Sequence, residues 1–538
     1  MELIHFAVSD PALQQPFADL DIIRVLKLAC PSMDEAALSA WALRSFTSDP
    51  DELSARYKVF ADVTDLEAAI EAYHHVQSFR EELDKQSRAM GELHEVLYDW
   101  RVLSVYVSLV ESLQVLCEKS TGASSRMEAL HTQLKEVLKD PAFATIRAVI
   151  TQVQKILPFP KHLYVGINAR ESGDATDIGI IRDDASDEEI QALLDSKAPT
   201  ASSKSLFPEM SYTRLQYGTH FEEYLLQHFE KRYHSEIAKA HKLLADVHPL
   251  RTPEFLELED SLQYLVVGLS LYSLFTGAGY SLCTPDPSAA CLRSESLMYP
   301  DLALHLQGLE GKHVVLENGS STLITGANHS GKTSYLKTLG QSLVLAQFGF
   351  KVPATSFAFR PFQKYYTLFS TGEDSSMSVS RMGVEIQRLS VIMQSATDKD
   401  LVLINEPMTS TNPIEAVSIC CDLMERFIDH GITHLVVTHL YDIYYLLKTR
   451  LTAEKDSHFT SLITLSDFSE ETGMVHSYRL KESAPLGNSY ARETAKSFQI
   501  TLEDLLEDSE KRQEAASYCR STQLENIYDG AQGSGKEV

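Results

Sequence analysis

Along residues 1–160 the apolar side chains recur at spacings of three and four, with almost no glycine or proline among them. The run LEAAIEAYHHVQSFREELDKQSRAMGELHEVLYDWRVLSVYVSLVESLQVL shows the period most clearly. It places the apolar positions on one helical face and predicts long helices. Pro158 and Pro160 break it. The stretch HLYVGINARESGDATDIGII then predicts two short strands around a polar turn containing Gly173, a small insertion near 160–182. Residues 183–206 hold an acidic run (Asp183, Asp184, Asp187, Glu188, Glu189) and a Ser/Ala/Pro-rich stretch, which reads as an exposed loop flanking a short helix. Helical spacing resumes from Tyr212 to Phe275, and glycine and proline accumulate from 277 to 300.

From about 300 the pattern changes. Short apolar runs alternate with helical ones: HVVLE, STLITG, a helix over 331–348, YYTLFS, a helix over 380–396, DLVLINE, a helix over 414–430, and THLVVTHL. Strands and helices in alternation predict an α/β domain with a largely parallel sheet. The expected organisation is a mostly α-helical region over 1–290, an α/β domain over 291–500, and a polar tail over 501–538, helical or frayed. There is no repeat of fixed period. Residues 261–285, SLQYLVVGLSLYSLFTGAGYSLCTP, carry no charge and are long enough to span a bilayer. Their glutamine, serines, threonines, glycines and proline argue instead for a buried helix ending near Gly277 or Gly279.

Composition narrows this only a little. At 538 residues the chain has room for roughly three or four domains. A formal net charge of −27 argues against coating nucleic acid by bulk attraction, though not against a local basic surface. Cys30, Cys117, Cys283, Cys291, Cys420, Cys421 and Cys519 form no CxxC pair. They read as reduced thiols in a cytoplasmic protein, with neither a disulfide framework nor a zinc site. The start, MELIHFAVSD, has no basic n-region or long apolar core and predicts no secretory signal.

The chemistry concentrates in LITGANHSGKTSYLKTLG, 323–340, which fits the phosphate-loop pattern G-x-x-x-x-G-K-[ST]. Such a loop works because successive backbone N–H groups face the phosphates and the next helix adds its positive end. Glycine serves where the backbone must turn with φ > 0 or approach closely. The candidate nucleotide-binding residues are Gly326, Ala327, Asn328, His329, Ser330, Gly331, Lys332, Thr333 and Ser334. Lys332 would reach the β- and γ-phosphates, and the Thr333 hydroxyl would bind Mg²⁺. An ordinary glycine-containing βα turn is the bland alternative. LVLINE, 401–406, supplies an apolar run ending in acid. Asn405 stands where an Asp usually holds Mg²⁺, so metal binding should be weaker, and Glu406 is the candidate catalytic base. LVVTHL, 435–440, puts His439 at a strand end as a candidate γ-phosphate sensor. A solvated acid and a structural histidine are the plain readings of these two.

Together these segments resemble the MutS family of DNA mismatch-repair ATPases. LITGANHSGKTSYLKTLG resembles the family's strand, T-G-P-N-x-x-G-K-S-T and helix, with Thr325, Gly326, Asn328, Gly331 and Lys332 on matching positions. LAQFGFKVPA, GEDSSMSVSRMGVEI, LVLINEPMTSTNP, VTHLYDI and APLGNSYARETAKSF follow in the family's order over about 180 residues. Ser380 and Glu385 fall on the family's serine and glutamate. The resemblance implies a P-loop, ABC-type ATPase domain, ATP and Mg²⁺ as cofactors, a homodimer through that domain, and Ser380 acting in trans on the partner's γ-phosphate. YKVFADVTDL and the long helices look like the start of the family's lever-and-clamp region, which would make 261–285 a core helix with no membrane role. The expectation is a chain without the mismatch-recognition domain. Its Phe-x-Glu triplets at 79–81, 221–223, 255–257 and 468–470 are assigned no wedge role. Pro407-Met408 replaces a glycine-containing turn, and Asn405 in place of the usual Asp implies slow turnover.

Residues 131–170 carry Lys135, Lys139, Arg147, Lys155, Lys161 and Arg170 against Glu136 and Asp140, and residues 227–242 carry Lys231, Arg232, Lys239 and Lys242 against Glu230 and Glu236. Such patches can bind phosphates without reading sequence, or can simply be solvated helix faces. His228, His234 and His241 lack the spacing of a helical metal pair. Two functions stay open. One is an ATPase that switches a dimeric clamp on mismatched, branched or distorted DNA, with structure-specific rather than sequence-specific binding. The alternative is a slow or inactive nucleotide-gated scaffold that binds proteins. The absence of an LSGGQ-like stretch before 401 counts against ABC transporters.

Overall fold

The computed structural model describes residues 3–87, 92–122, 124–157, 164–169, 175–182, 230–305, 310–327, 330–369, 381–469 and 473–485. The chain divides into two compact units, Met1–Ile4 with Lys58–Leu269, and His5–Tyr57 with Ser270–Val538. This differs from a division at 290: residues 5–57 group with the C-terminal part of the chain. The expected loop over 183–206, the helical pattern from 212 to 229 and the tail over 501–538 lie outside the described residues.

In the first unit Leu66–Gln86 and Glu92–Lys119 are the long helices that the spacing predicts, joined by Ser125–Lys139, Pro141–Ile156, His234–Leu244 and Thr252–Leu256. Asp65 and Asp140 cap two of them by accepting from the amides of Ala68 and Ala142, each at 2.8 Å. Phe79, Tyr106, Phe143 and Phe255 form an aromatic centre, with Tyr106 at 5.7–6.1 Å from the other three rings. Leu93–Lys119 is long and apolar enough to cross a membrane. Its Val96, Val102, Leu103, Leu109, Val110, Leu113 and Leu116 are nonetheless buried. β1 (Tyr164–Ala169) and β2 (Ala175–Arg182) pair antiparallel, as the strand pattern predicts. The uncharged stretch forms the helix Leu258–Gly277, which ends at the expected glycine, with Leu262, Tyr264, Leu265, Val267 and Phe275 buried.

The second unit holds the α/β fold. Its strands are β3 (Leu292–Leu297), β4 (Lys312–Leu316), β5 (Ser321–Thr325), β6 (Ser356–Ala358), β7 (Tyr365–Phe369), β8 (Leu401–Asn405), β9 (Thr433–Val437), β10 (Phe459–Ser469) and β11 (Gly473–Glu482). Six of them form one sheet in the order β11-β10-β5-β9-β8-β7. All neighbours are parallel except the β10–β11 hairpin. The helices Lys332–Gln347, Arg381–Ser395 and Pro413–Asp429 follow the predicted spans to within a residue or two. β4, the HVVLE run, does not join this sheet: it pairs antiparallel with β3, which pairs with β6. β5, β8 and β9 are buried at every position, as central strands covered on both faces must be.

Residues 5–57 belong to this unit because their apolar and polar groups are used up on it. Phe17 and Trp41 pack edge-on to Phe348 at 5.8 and 5.9 Å, and Phe46 packs on Tyr365 at 5.6 Å. Gly340 admits Leu20: a Cβ at 340 would stand 2.5 Å from a Leu20 methyl. The Gln347 amide, fully buried, donates to the carbonyls of Thr47 and Phe362 and accepts from the Phe362 amide and the Tyr365 hydroxyl. The sheet edge at β7 is covered by the helix Gln14–Asp19. Asp19 accepts from Thr367 and Arg388, each at 2.7 Å, and Arg388 also donates to the Thr367 carbonyl. An edge closed in this way cannot template another strand.

Arg56 ties this segment to the end of the helix that starts in the candidate loop. It is fully buried, pairs with Glu52 at 2.9 Å, and donates to the carbonyls of Ser45, His5 and Phe348. Removing one partner of a buried pair leaves an uncompensated charge. Arg56→Ala is expected to lower stability by about 3 kcal/mol or more in urea unfolding; a loss under about 1 kcal/mol would show that water replaces the guanidinium there.

Candidate functional site

The site is assembled where the parallel strands end. β5, β9 and β8 are neighbours, and their C-terminal ends open on one edge of the sheet, the usual place for a ligand in such folds. β5 runs into Gly326 and Ala327, and the helix Lys332–Gln347 starts directly after Ser330 and Gly331. Gly326 has φ 145° and Gly331 has φ 92°, both in the region that glycine alone adopts freely. Gly326 is excluded from carrying a side chain for a second reason. A Cβ there would lie 1.9 Å from the Thr464 hydroxyl on β10.

Lys332, the first residue of the helix, is 5% exposed. Its ammonium donates to the carbonyls of Gly326 and Ala327 at 2.9 and 2.8 Å and lies 3.9 Å from Glu406 Oε1. Burial lowers its pKa from the ordinary lysine value, and the Glu406 charge works in the opposite direction. Thr333 follows, and its hydroxyl donates to Asn405 Oδ1 at 2.8 Å. Asn405 ends β8 and is 8% exposed. The Ser330 hydroxyl donates to the Ala327 carbonyl and lies 2.6 Å from Thr464 Oγ1.

Glu406 comes directly after β8. Its amide donates to the Val437 carbonyl at 2.8 Å, which fixes it against the end of β9. Its backbone has φ 52°, and Met408 has φ 58°. Positive φ at two non-glycine residues within three is a strained arrangement. The segment thus keeps a glycine-like backbone shape without a glycine. Glu385, from the helix Arg381–Ser395, accepts from the Met408 amide at 2.6 Å and holds the turn. His439 sits just past β9, and its Nδ1 lies 2.7 Å from Glu406 Oε2. That hydrogen bond raises the His439 pKa above the ordinary value, opposed by partial burial.

Of the residues singled out by sequence, Gly326, Ala327, Ser330, Gly331, Lys332, Thr333, Asn405, Glu406 and His439 are brought into this one cluster. Ser334 is half-buried on the helix, and its carbonyl accepts from the Thr338 hydroxyl. Asn328, His329 and Ser380 lie outside the described residues. Thr464 joins the cluster through the β10–β11 hairpin, which has no motif of its own. The alternation in FTSLITL and the turn residues EETG after it were the available signal. Among the described residues no group of three or more His, Cys, Asp or Glu could hold a metal ion.

The Glu406–His439 contact sets a pH dependence. With a raised folded-state pKa, His439 adds stability that is complete below about pH 6.5 and fades as pH rises through the folded value. His439→Ala is therefore expected to cost more stability at pH 6 than at pH 8. In NMR titration, Glu406→Gln should bring the His439 midpoint down. An unmoved midpoint would mean that the 2.7 Å contact carries no charge coupling.

A family model described as MutS domain V matches residues 322–514, the stretch that contains β5, the loop, Asn405, Glu406 and His439. Human "MutS protein homolog 4" is 28% identical over 181 residues, 34% of this chain and 19% of that protein. "DNA mismatch repair protein MutS" of Thermus thermophilus is 27% identical over 197 residues, 34% of this chain and 23% of that protein. "DNA mismatch repair protein MutS 2" of Halobacterium salinarum is 30% identical over 156 residues, 26% of this chain and 18% of that protein. The matches thus span about a fifth of the length of these relatives. The aligned stretch is the one in which the strand ends gather the candidate site, and over that stretch the chain is similar to members of the MutS family.

Proposed function

We propose that the chain is an ATP-hydrolysing, DNA-binding member of the MutS family that changes its grip on DNA with nucleotide state. The observation that carries this reading is the convergence of Lys332, the Thr333–Asn405 pair, Glu406 and His439 at the ends of three adjacent parallel strands. In this reading the loop amides and the positive helix end hold the phosphates. Lys332 exchanges two carbonyl acceptors for phosphate oxygens, which bind an ammonium more strongly. Glu406 accepts the proton of the attacking water, and the His439 Nδ1–H holds that carboxylate in place. Ser380 acts on the nucleotide of a second copy in a homodimer.

The donor set fits Mg²⁺ in kind. The Thr333 hydroxyl and Asn405 amide oxygen are hard, neutral donors, and Mg²⁺ needs few protein ligands beside nucleotide phosphates. These two residues would hold it, with less attraction than a carboxylate supplies. When bound it would offset the charge of the phosphates.

For DNA, the reading uses Lys135, Lys139, Arg147 and Lys155, all exposed on Ser125–Lys139 and Pro141–Ile156. They suit phosphate contacts to mismatched, branched or distorted DNA without base readout. Lys161 and Arg170 lie outside the described residues. The printed names of the Thermus and Halobacterium relatives are consistent with it. The reading puts the protein in the cytoplasm, where thiols such as Cys30, Cys117, Cys283, Cys291, Cys420 and Cys421 stay reduced.

Lys332→Ala is expected to weaken ATP binding by about 100-fold or more, since a buried charge-assisted contact is lost. Glu406→Ala should keep binding and stop turnover. If Lys332→Ala binds ATP as tightly as the parent chain, the nucleotide site is misassigned. ATP hydrolysis would be measured with perfect duplex, mismatched duplex and four-way junction at physiological salt. A rate change with one of them supports the clamp. ATP binding with no DNA effect would instead favour the nucleotide-gated scaffold, the reading that Asn405 makes open.

A further inference from the structure

We propose that Thr464 is a positioning residue that sets how tightly the loop 326–331 holds phosphate, an inference that rests on the nucleotide-site reading above. β10 runs parallel to β5 with Ile463 opposite Thr325. Thr464 therefore arrives beside the point where β5 gives way to the loop. Its hydroxyl meets the loop twice. It lies 2.6 Å from Ser330 Oγ. It also lies against Gly326, where even a Cβ would come within 1.9 Å of it. One side chain thus braces both Gly326 and Ser330.

The proton count fixes the direction of the contact. Ser330 has a single hydroxyl proton, and it goes to the Ala327 carbonyl at 2.6 Å. Thr464 is then the donor to Ser330. The two residues are 8% and 1% exposed, so water does not readily replace the bond. The backbone supports the same aim. The register of β10 against β11 shifts between Thr464 and Ser466, and such bulges redirect side chains next to sites. The Lys332 ammonium rests on the carbonyls of Gly326 and Ala327, so the contacts that hold Gly326 and Ser330 also define where Lys332 starts from.

Thr464→Val is the informative change. A methyl cannot sit 2.6 Å from an oxygen, since carbon–oxygen contacts need about 3.3 Å or more. Ser330 and the loop amides must move to admit it. ATP affinity of the full chain would be measured by direct binding, alongside the unfolding midpoint without nucleotide. Thr464→Val is expected to weaken ATP binding about tenfold, one buried hydrogen bond and its geometry. The midpoint should shift by no more than about 4 °C. Thr464→Ser restores the donor and should stay within about threefold of the parent.

Parent-like binding by Thr464→Val, or Thr464→Ser as weak as Thr464→Val, overturns the proposal. So does a large fall in midpoint with unchanged affinity, which is what a purely structural threonine would give. If Thr464→Val does not yield folded protein, Thr464→Ala removes the donor without adding a clash; the same tenfold loss supports the proposal, and parent-like affinity overturns it. Lys332→Ala in the same assay separates the two levels. If it binds as the parent does, the nucleotide-site reading fails. If it loses binding while Thr464→Val does not, only the role of Thr464 fails.

Discussion

A lysine ammonium held almost out of water on two backbone carbonyls is the constraint around which the second unit is arranged. Burial disfavours the charged form, so acceptors must be supplied from close by and held there. The carbonyls come from Gly326 and Ala327, which face Lys332 only because the backbone turns through positive φ at Gly326 and Gly331. The carboxylate of Glu406 approaches at 3.9 Å from the end of β8. Its own position depends on the amide bond to Val437 and on His439. Each group is therefore set by a different strand, and the parallel sheet is what brings the strand ends to one place.

The helix that begins with Lys332 also ends in a network. Tyr57 donates to the Ala346 carbonyl and Arg56 to that of Phe348, while Gln341 and Gln347 are buried and bonded to Leu20 and Thr47. Helix ends leave carbonyls without partners. Here Arg56 and Tyr57 meet that need, more than 280 positions away in sequence. The N-terminal segment is thus a structural part of the unit that carries the site, and it closes the β7 edge as well.

Strain gathers at the turn after β8. Glu406 and Met408 adopt positive φ without being glycine, and Glu385 holds the Met408 amide. A conformation that costs energy persists only when its surroundings over-determine it. The neutral Thr333–Asn405 bond alongside it is the clearest local departure from the acidic pattern expected of such sites.

Much of this was legible in the chain itself. The spacing of apolar residues placed the long helices and the strands β5, β8 and β9, because burial on one face or both leaves a period that neighbours in sequence record. The loop was legible because backbone turns demand glycine at 326 and 331 whatever surrounds them. Three things were not legible. The HVVLE run paired into a separate antiparallel sheet, since strand pairing is decided by partners and not by the strand's own pattern. Residues 5–57 joined the C-terminal unit through aromatic packing on Phe348 and Tyr365, a long-range choice with no local signature. Thr464 reached the loop only because β10 lies next to β5 in the sheet. Local chemistry can be read from neighbours along the chain, whereas which strand stands beside which is settled only when the whole core is buried together.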